Sequence, residues 1–285
     1  MLFFFLYYIG AIVALSIPVR VSYKIASFIV AIKYLLSLSE RREMVENLKL
    51  VLPGKDLKTL KGYAREIFRN FSMYLVDFFR FKKVDLQYVK EHVELVNKNF
   101  IDEALQKGKG AIILSAHLGS WELGGAAMGV VGYPINVVAL DHKNKLVNKF
   151  FIRQRQMKNE RVISIGIALK KCFRVLKNNE LLAIVGDKDF TNNGLVSKFF
   201  GKDTLLPKGP AVFSLKTGAA IIPGFVIRDH DENCRLIFEK PIEYAPSGDF
   251  EKDVINLTAC CAKVLEDCIR RYPTQWYCFR KFWQG

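Results

Sequence analysis

The chain has 285 residues, of which 51% are hydrophobic and 25% are charged. This length allows one large domain or two small ones with a substantial core, and the composition excludes an intrinsically disordered chain. Mean hydropathy is +0.11, which is too low for a protein with several membrane spans. The formal net charge of +15 favours an anionic partner, whether lipid headgroups, a phosphorylated glycolipid, an acidic carrier protein or nucleic acid.

Residues 2–19 form an uncharged apolar segment at the start of the chain. As a helix, these 18 residues would be about 27 Å long, just short of the roughly 30 Å hydrocarbon core of a membrane. Basic residues begin after it, at Arg20 and Lys24, which places the rest of the chain on the cytoplasmic side by the positive-inside rule. We therefore expect residues 1–38 to be a membrane-anchoring or interfacial helical segment. A buried core helix is the alternative.

Between residues 56 and 81, apolar residues recur at helical spacing, which predicts an amphipathic helix. After residue 100, short apolar runs alternate with helical patterns. The runs predict strands over 111–115, 135–140, 181–185, 221–227 and 235–239. The helical patterns cover 121–131, 145–158, 168–177 and 210–217, with a final helix over about 254–271. This alternation predicts an α/β fold in which a mixed, largely parallel sheet is flanked by helices.

The six cysteines show neither a Cys-x-x-Cys pair nor another metal-type spacing. The adjacent Cys260 and Cys261 are a poor basis for a disulfide framework, so we expect free thiols in a reducing compartment. We accordingly expect no structural zinc, and no bound metal or cofactor.

A histidine and a glutamate, His117 and Glu122, follow the strand predicted over 111–115 and flank the start of the next helix. Five residues turn a straight helix through about 140°, so the two side chains meet only if His117 lies in the preceding turn. The carboxylate would then accept the ring N–H, fix the tautomer and raise the basicity of the other nitrogen. Such a pair acts as a general base when the substrate supplies the hydroxyl group. The alternative is a surface histidine with an unrelated glutamate.

Two carboxylates bracket a lysine directly after the strand predicted over 181–185, in Gly186-Asp187-Lys188-Asp189. Asp187 and Asp189 could bind a divalent metal, hold the sugar hydroxyls of an acceptor, or brace neighbouring basic residues. An acidic turn in which an aspartate caps the loop is the plain alternative.

These motifs resemble a known family. His117 and Glu122 are similar to the His-x4-Glu element of the lysophospholipid acyltransferase superfamily, and His-Leu-Gly-Ser-Trp-Glu-Leu-Gly resembles its branch of late (secondary) lipid A biosynthesis acyltransferases. In that branch Asp-x-Asp also follows a strand. As here, it precedes an aromatic-Gly step (residues 199–201), Gly-Pro (209–210) and Gly-Ala-Ala-Ile-Ile-Pro (218–223). The resemblance covers nearly the whole chain, from Arg41 to Trp283.

The resemblance implies an O-acyltransferase that moves a fatty acyl chain from a carrier thioester to a hydroxyl of a glycolipid, such as a lipid A precursor. It places this chemistry at the cytoplasmic face of the cell inner membrane, with residues 39–285 as the catalytic domain. His117 and Glu122 are then the catalytic residues, and Arg155, Asp187 and Asp189 are substrate-binding candidates. Other acceptors occur within the branch, including mannosylated phosphoinositides.

Arg155 is chosen from a basic run because arginine grips phosphate in a bidentate manner. The run reads Arg-Gln-Arg-Gln-Met-Lys-Asn-Glu-Arg from residue 153, so Arg161 is a rival, and a solvated helix face explains the run nearly as well.

The expected mechanism is direct attack. His117, oriented by Glu122, takes the proton from the acceptor hydroxyl while its oxygen attacks the thioester of an acyl-carrier protein or acyl-CoA. Backbone N–H groups at the helix start after His117 are candidates to stabilise the oxyanion. A membrane-bound, metal-dependent glycosyltransferase using Asp187 and Asp189 is the alternative, and it leaves the His-x4-Glu element unexplained. A basic protein that grips anionic lipid or nucleic acid explains the charge but not the motifs, so nucleic acid is not an expected partner.

Overall fold

A seven-stranded sheet organises the computed structural model, which describes residues 2–165, 168–230 and 233–283. In chain order the strands are β1 (Val93–Val96), β2 (Ala111–Ser115), β3 (Ile135–Ala139), β4 (Arg161–Ser164), β5 (Leu181–Val185), β6 (Leu195–Phe199), β7 (Lys202–Leu206), β8 (Ala220–His230) and β9 (Asn233–Phe238). The sheet order is β1-β9-β8-β2-β5-β3-β4, and neighbours are parallel except β8 and β9. The predicted mixed, largely parallel sheet is confirmed. Strands β6 and β7 form a separate antiparallel hairpin.

Helices cover both faces of this sheet. They are α1 (Leu2–Ser16), α2 (Val19–Leu36), α3 (Leu38–Val51), α4 (Leu57–Phe79), α5 (Leu86–His92), α6 (Asn99–Gln106), α7 (Trp121–Val130), α8 (Lys145–Gln156), α9 (Ala168–Lys177), α10 (Gly209–Thr217) and α11 (Phe250–Arg271). One hydrophobic cluster joins α4, α6, α7 and α8 to one sheet face, and a second joins α9, α10 and α11 to the other. Strands β2 and β5 are thus covered on both sides, which explains their continuous apolar runs.

Side-chain caps fix the start of several helices. Asp56, Asn144 and Asp249 accept hydrogen bonds from first-turn amides of α4, α8 and α11. Helix α7 differs, because the side chain of its N-cap residue, Ser120, makes no such bond. This leaves the first amides of α7 without a side-chain cap.

The predicted strands are all present, and four strands were missed. β1 and β4 lie at the two edges of the sheet, and the β6–β7 hairpin lies outside it. Each is short and carries polar or charged residues, so none gives the apolar run that marks a central strand.

The apolar N-terminal segment is divided into two helices. α1 ends at Ser16 and α2 starts after Pro18, because proline disfavours helical backbone in the residue before it. The Arg80 guanidinium closes this bend by donating to the backbone oxygens of Ala14 and Ile17. The continuous helix expected over residues 2–19 is therefore wrong. Among the described residues, no single helix is both long and apolar enough to cross a membrane, and α2 and α3 meet those criteria only together, across a 92° bend.

Candidate active site

The carboxyl ends of two adjacent parallel strands carry the central pair of the site. Ser115 of β2 is in register with Val185 of β5, and His117 and Asp187 each follow two residues later. At that point Asp187 Oδ1 accepts hydrogen bonds from the His117 ring Nδ1 at 2.8 Å and from the His117 backbone N–H at 3.2 Å. Ligand sites of open α/β sheets lie at such strand ends.

This pairing fixes the tautomer of His117. A carboxylate only accepts, so the ring proton lies on Nδ1 and Nε2 is left as the nitrogen available to the cavity that the ring lines. The second oxygen of Asp187 accepts from the Trp276 indole N–H at 3.0 Å, and the Asp187 side chain is only 3% exposed. Asp187 is therefore a rigid acceptor, and His117 presents a basic nitrogen.

The electrostatics of the pair are those of a base beside an anion. Burial alone would lower the pKa of His117, but the charge and hydrogen bond of Asp187 outweigh it and raise the pKa above its usual value. Burial would raise the pKa of Asp187, but the interactions with His117 and Trp276 lower it. Asp187 is thus ionised at neutral pH.

Glu122 has a different partner from the one expected. It lies in the first turn of α7, and its two oxygens accept from Nε and Nη2 of Arg155 on α8 at 2.8 and 2.6 Å. The prediction that Glu122 accepts a hydrogen bond from the His117 ring is therefore wrong. The carboxylate that accepts this bond belongs to Asp187, which follows the end of β5. The charge of Glu122 still contributes to raising the pKa of His117, after the larger effect of Asp187.

Arg155 stands inside the cavity and Arg161 does not. The Arg155 side chain is 11% exposed and lines the cavity; burial opposes its charge, but Glu122 raises its pKa and keeps it cationic. The Arg161 side chain is 65% exposed and pairs with Glu180 on the surface. Its place in the cavity favours Arg155 over Arg161 as a substrate-binding candidate. The bidentate hydrogen bonds of its guanidinium group are made to Glu122.

Asp189, unlike Asp187, accepts hydrogen bonds from the loop that follows it. Its oxygens accept from the backbone and hydroxyl of Thr191 and from the backbone N–H of Gly194, which closes the loop after β5. The residue also lines the cavity. The plain alternative of a loop-capping aspartate thus describes the contacts of Asp189 but not those of Asp187.

Backbone hydrogen bonds hold the turn that carries His117. Gly119 donates to the Gln275 carbonyl at 2.8 Å, Ser120 donates to the Val226 carbonyl at 3.1 Å, and Tyr277 donates to the His117 carbonyl at 2.9 Å. Gly119 has a φ of +60°, and a Cβ there would lie 1.7 Å from the Val226 oxygen, so only glycine fits. β8 and the segment after α11 therefore fix the position of the histidine.

A buried polar cluster beneath this turn gave no sequence signal. Asp77 of α4 accepts from the Ser120 hydroxyl at 3.0 Å and from the Tyr23 hydroxyl of α2 at 2.5 Å, and it pairs with the Arg228 guanidinium of β8. Because the Ser120 hydroxyl is engaged here, it caps no amide of α7. The four residues are far apart in sequence, which is why no motif indicates them.

A cavity of about 840 Å³ opens beside His117. One arm, the α7 branch, runs between α7 and the sheet and is lined by Ile113, Gly125, Met128, Val137, Ala183 and Gly224. Aromatic rings surround the histidine end, where Trp121 stacks on Tyr74 at a centroid distance of 4.1 Å and meets the His117 ring edge-to-face. The site thus places the Nε2 nitrogen of His117 beside a cavity with largely apolar walls.

Comparison with known proteins agrees with this arrangement. The chain, over residues 1–285, matches the family model described as bacterial lipid A biosynthesis acyltransferase. The chain belongs to this family, as its motifs predicted.

Two curated relatives extend the comparison. A phosphatidylinositol mannoside acyltransferase of Mycolicibacterium smegmatis is 25% identical over 229 residues, which cover 79% of this chain and 71% of that protein. A lipid A biosynthesis palmitoleoyltransferase of Escherichia coli is 25% identical over 242 residues, which cover 83% of this chain and 77% of that protein. Both are acyltransferases, and they support an enzyme that transfers acyl groups.

Proposed function

We propose that this protein is a membrane-associated O-acyltransferase that moves a fatty acyl chain from a carrier thioester to a hydroxyl group of a glycolipid. In this proposal His117 is the general base, and Asp187 orients it. The observation that carries it is the 2.8 Å contact between Nδ1 and Asp187, which leaves Nε2 directed at the substrate side of an apolar cavity. The phosphatidylinositol mannoside acyltransferase and the lipid A biosynthesis palmitoleoyltransferase to which the chain is similar support a glycolipid acceptor.

The reaction needs no covalent intermediate on the enzyme. Nε2 of His117 takes the proton of the acceptor hydroxyl, the hydroxyl oxygen forms the ester bond, and the carbonyl–sulfur bond of the thioester breaks. The departing thiolate takes the proton back from the imidazolium. General-base catalysis of this kind contributes roughly 10²–10⁴-fold, and alignment in the cavity adds to it.

The amino end of α7 is the proposed oxyanion site. The amides of the three residues after the histidine, Leu118, Gly119 and Ser120, already donate to carbonyls. The first-turn amides of Trp121 and Glu122 have no side-chain cap, because the Ser120 hydroxyl is held by Asp77. Amides at a helix start favour negative charge.

The cavity walls fit the two substrates proposed. The α7 branch is lined by apolar residues, which suits an acyl chain, while Lys188 and Lys208 line the cavity and suit phosphate groups of a donor or acceptor. Arg155 stays a proposed substrate-binding residue through the N–H groups that Glu122 does not use. An acidic acyl-carrier protein complements the net charge of +15, and acyl-CoA is the other proposed donor.

The N-terminal helices support contact with a membrane. Large apolar side chains are exposed along α1 and α2, among them Ile9, Ile12, Phe28, Ile29 and Leu35. A patch of this kind on a basic protein suits an anionic lipid surface. We propose the cytoplasmic face of the inner membrane, with residues 1–38 as the interfacial segment and 39–285 as the catalytic domain.

The glycosyltransferase alternative is less well supported. Both oxygens of Asp187 accept hydrogen bonds, from His117 and Trp276, and both oxygens of Asp189 serve its own loop. In the described part of the chain, no cluster of three or more histidine, cysteine, aspartate and glutamate side chains is placed to hold a metal ion. The contacts of these aspartates fit acyl transfer better.

Mass spectrometry of lipid extracts tests the proposal directly. Cells with and without the gene should differ by one acyl chain in a single glycolipid class, and that difference names the acceptor and the chain length together. The H117Q gene should give the same lipids as the deletion. If lipids are identical with and without the gene, glycolipid acylation is the wrong assignment.

A further inference from the structure

Three segments at the carboxyl ends of the strands form the mouth of the cavity. β5, β3 and β4 are neighbours and run parallel, so the segments that follow them leave the sheet side by side. These segments carry Leu140, Leu169 and Phe190, which line the cavity. The same three residues are 52, 59 and 45% exposed. A residue that lines a cavity and also faces solvent lies where the cavity opens, so these three mark its mouth.

Exposed lysines lie among these apolar residues. Leu146, in the first turn of α8, is also exposed and extends the apolar surface. Residues 140–146 and 169–171 contain four lysines and one acidic residue, Asp141. The four lysines are all exposed: Lys143, Lys145, Lys170 and Lys171. We call residues 140–146, residues 169–171 and Phe190 the rim. Apolar side chains among lysines suit an anionic membrane surface, because the apolar groups enter the lipid and the cations meet the phosphates.

Ring contacts join the rim to the first helix. Tyr7 of α1 meets the Phe151 ring of α8 edge-to-face at a centroid distance of 5.5 Å, and Phe151 lies 4.4 Å from the His142 ring of the rim. Leu6 and Tyr8, on either side of Tyr7, are exposed. The rim therefore adjoins the exposed apolar surface of the N-terminal helices.

The proposed base lies directly behind the rim. The Phe190 ring meets the His117 ring edge-to-face at a centroid distance of 5.8 Å, while Phe190 itself is partly exposed. One side chain thus reaches from the outer surface to the imidazole. A hydroxyl group at the depth of lipid headgroups would come close to His117 once the rim meets the membrane.

We propose that the rim docks on the anionic surface of the membrane, and that the acceptor glycolipid reaches His117 through the mouth without leaving the bilayer. The inference rests on the proposed function for the nature of the acceptor. An acidic carrier protein is the other partner that the lysines suit. Lipid is favoured because the rim adjoins α1, and because a lipid surface accepts apolar side chains wherever they project, whereas a protein partner needs a matching groove for each.

Fluorescence at a labelled rim position tests the contact without substrate. L146C, combined with C260S, provides one accessible thiol for an environment-sensitive dye, since the other five cysteines are buried. Leu146 does not line the cavity. Vesicles of phosphatidylcholine and phosphatidylglycerol should shift the emission to the blue, and a quencher on the lipid acyl chains should reduce it. Vesicles of phosphatidylcholine alone should have a smaller effect.

I255C, again with C260S, is the matched control. Ile255 is 50% exposed and lies 16 residues before Arg271, the last residue of α11. That helix ends near the site, because Trp276 contacts Asp187, so Ile255 is about 24 Å from this end at 1.5 Å per residue. Its dye should not respond to vesicles. Equal responses at 146 and 255, or no response at 146, would overturn the proposal. A response at 146 to acyl-carrier protein and not to vesicles would assign the rim to the carrier instead.

Kinetics test the route of the acceptor. The glycolipid fraction of cells that lack the gene is presented either in phosphatidylglycerol-containing vesicles or in nonionic detergent. L146S/K170Q/K171Q should lower the ratio of kcat/KM in vesicles to kcat/KM in detergent at least tenfold, because one leucine in lipid alone accounts for about that factor. I255S should keep the wild-type ratio. The substituted residues are exposed, so the midpoint of thermal unfolding should stay at the wild-type value.

The two proposals fail in different ways. If the wild type acylates the glycolipid fraction in neither presentation, the proposed acyl transfer is wrong, and the fluorescence result still decides whether the rim meets lipid. If the wild type acylates it in both and L146S/K170Q/K171Q keeps the wild-type ratio, acyl transfer stands and entry through the rim is wrong.

Discussion

Two acid–base pairs lie in the same cavity, and they differ in what they leave free. In the pair at the strand ends, Asp187 binds one ring nitrogen of His117 and the other remains open to the cavity. In the pair between the start of α7 and the end of α8, Glu122 and Arg155 face each other through two hydrogen bonds. The first has the arrangement that the proposed proton transfer needs, and the second joins α7 to α8.

The comparison shows that neighbours in a motif need not be partners in space. Glu122 lies five residues from His117 in sequence, yet the acid on the ring comes from position 187, across a parallel strand pair. Register between strands decided the contact, and sequence proximity did not.

The largest expected effect follows from removing the base. H117Q should lower kcat by about 10²–10⁴-fold while leaving the free energy of unfolding nearly unchanged, because the side chain is partly exposed and the turn is held by backbone bonds. Steady-state kinetics and denaturant unfolding measure the two quantities. H92Q, at the end of α5, is the matched control and should behave as wild type. A turnover number for H117Q close to the wild-type value would remove His117 from the chemistry.

D187N should give the next largest loss. Asparagine has one accepting oxygen, so it cannot serve both the Trp276 indole and the His117 ring, and the ring loses its fixed tautomer. We expect kcat to fall about 100-fold.

The pH profile separates this role from a purely structural one. The pKa of His117 is raised above 6.5, and the base acts only when neutral, so wild-type activity should fall as the pH drops through that raised value. Without the Asp187 charge the pKa falls, so the acid limb of D187N should move to lower pH. An unchanged limb would mean that Asp187 does not control the protonation of the ring.

Breaking the pair of Glu122 and Arg155 should lower the free energy of unfolding more than it lowers kcat. E122Q leaves the largely buried Arg155 charge without its partner and should lower the free energy of unfolding by about 3–5 kcal/mol. The double variant E122M/R155M should recover much of this loss, since it removes both charges. Calorimetry or urea unfolding measures both. Should E122Q be as stable as wild type while its kcat falls as far as that of H117Q, then Glu122 acts in the reaction itself.

The smallest expected effect concerns the surface of α2. Phe28 and Ile29 are 68% and 60% exposed, and replacing either with serine should weaken binding to anionic phospholipid vesicles by about tenfold. Vesicle co-sedimentation at fixed ionic strength measures this. V196S, at an exposed valine of β6, serves as the control. Equal binding by all three variants would place the membrane contact elsewhere.

The central strands and most helices of the α/β region could be predicted from the sequence because their apolar patterns are local. The runs at 111–115 and 181–185 are β2 and β5 with the same bounds. That these strands are neighbours is not local information, since β3 and β4 lie between them in the chain and beyond β5 in the sheet. Asp187 was therefore singled out without its partner.

Two other residues of the site, Glu160 and Asp77, lie in no sequence motif. Glu160 stands in the run Lys-Asn-Glu-Arg, which resembles a solvated surface, and only the packing of α7 over it buries its carboxyl. Asp77 lies in an ordinary amphipathic helix, and its partners come from three distant segments. Burial of a lone charge depends on what covers it, and composition does not record that.

The first helix forms part of the cavity wall. Tyr7 of α1 lines the cavity and contacts Phe79, Phe150 and Phe151, while Tyr23 of α2 reaches the buried Asp77. Deleting these helices to make a more soluble protein would remove Tyr7 from the cavity wall. It would also remove the Tyr23 hydroxyl that donates to Asp77 beneath the turn that carries His117. Purification in detergent micelles or nanodiscs, with the full-length polypeptide, is accordingly the sounder route to an active preparation.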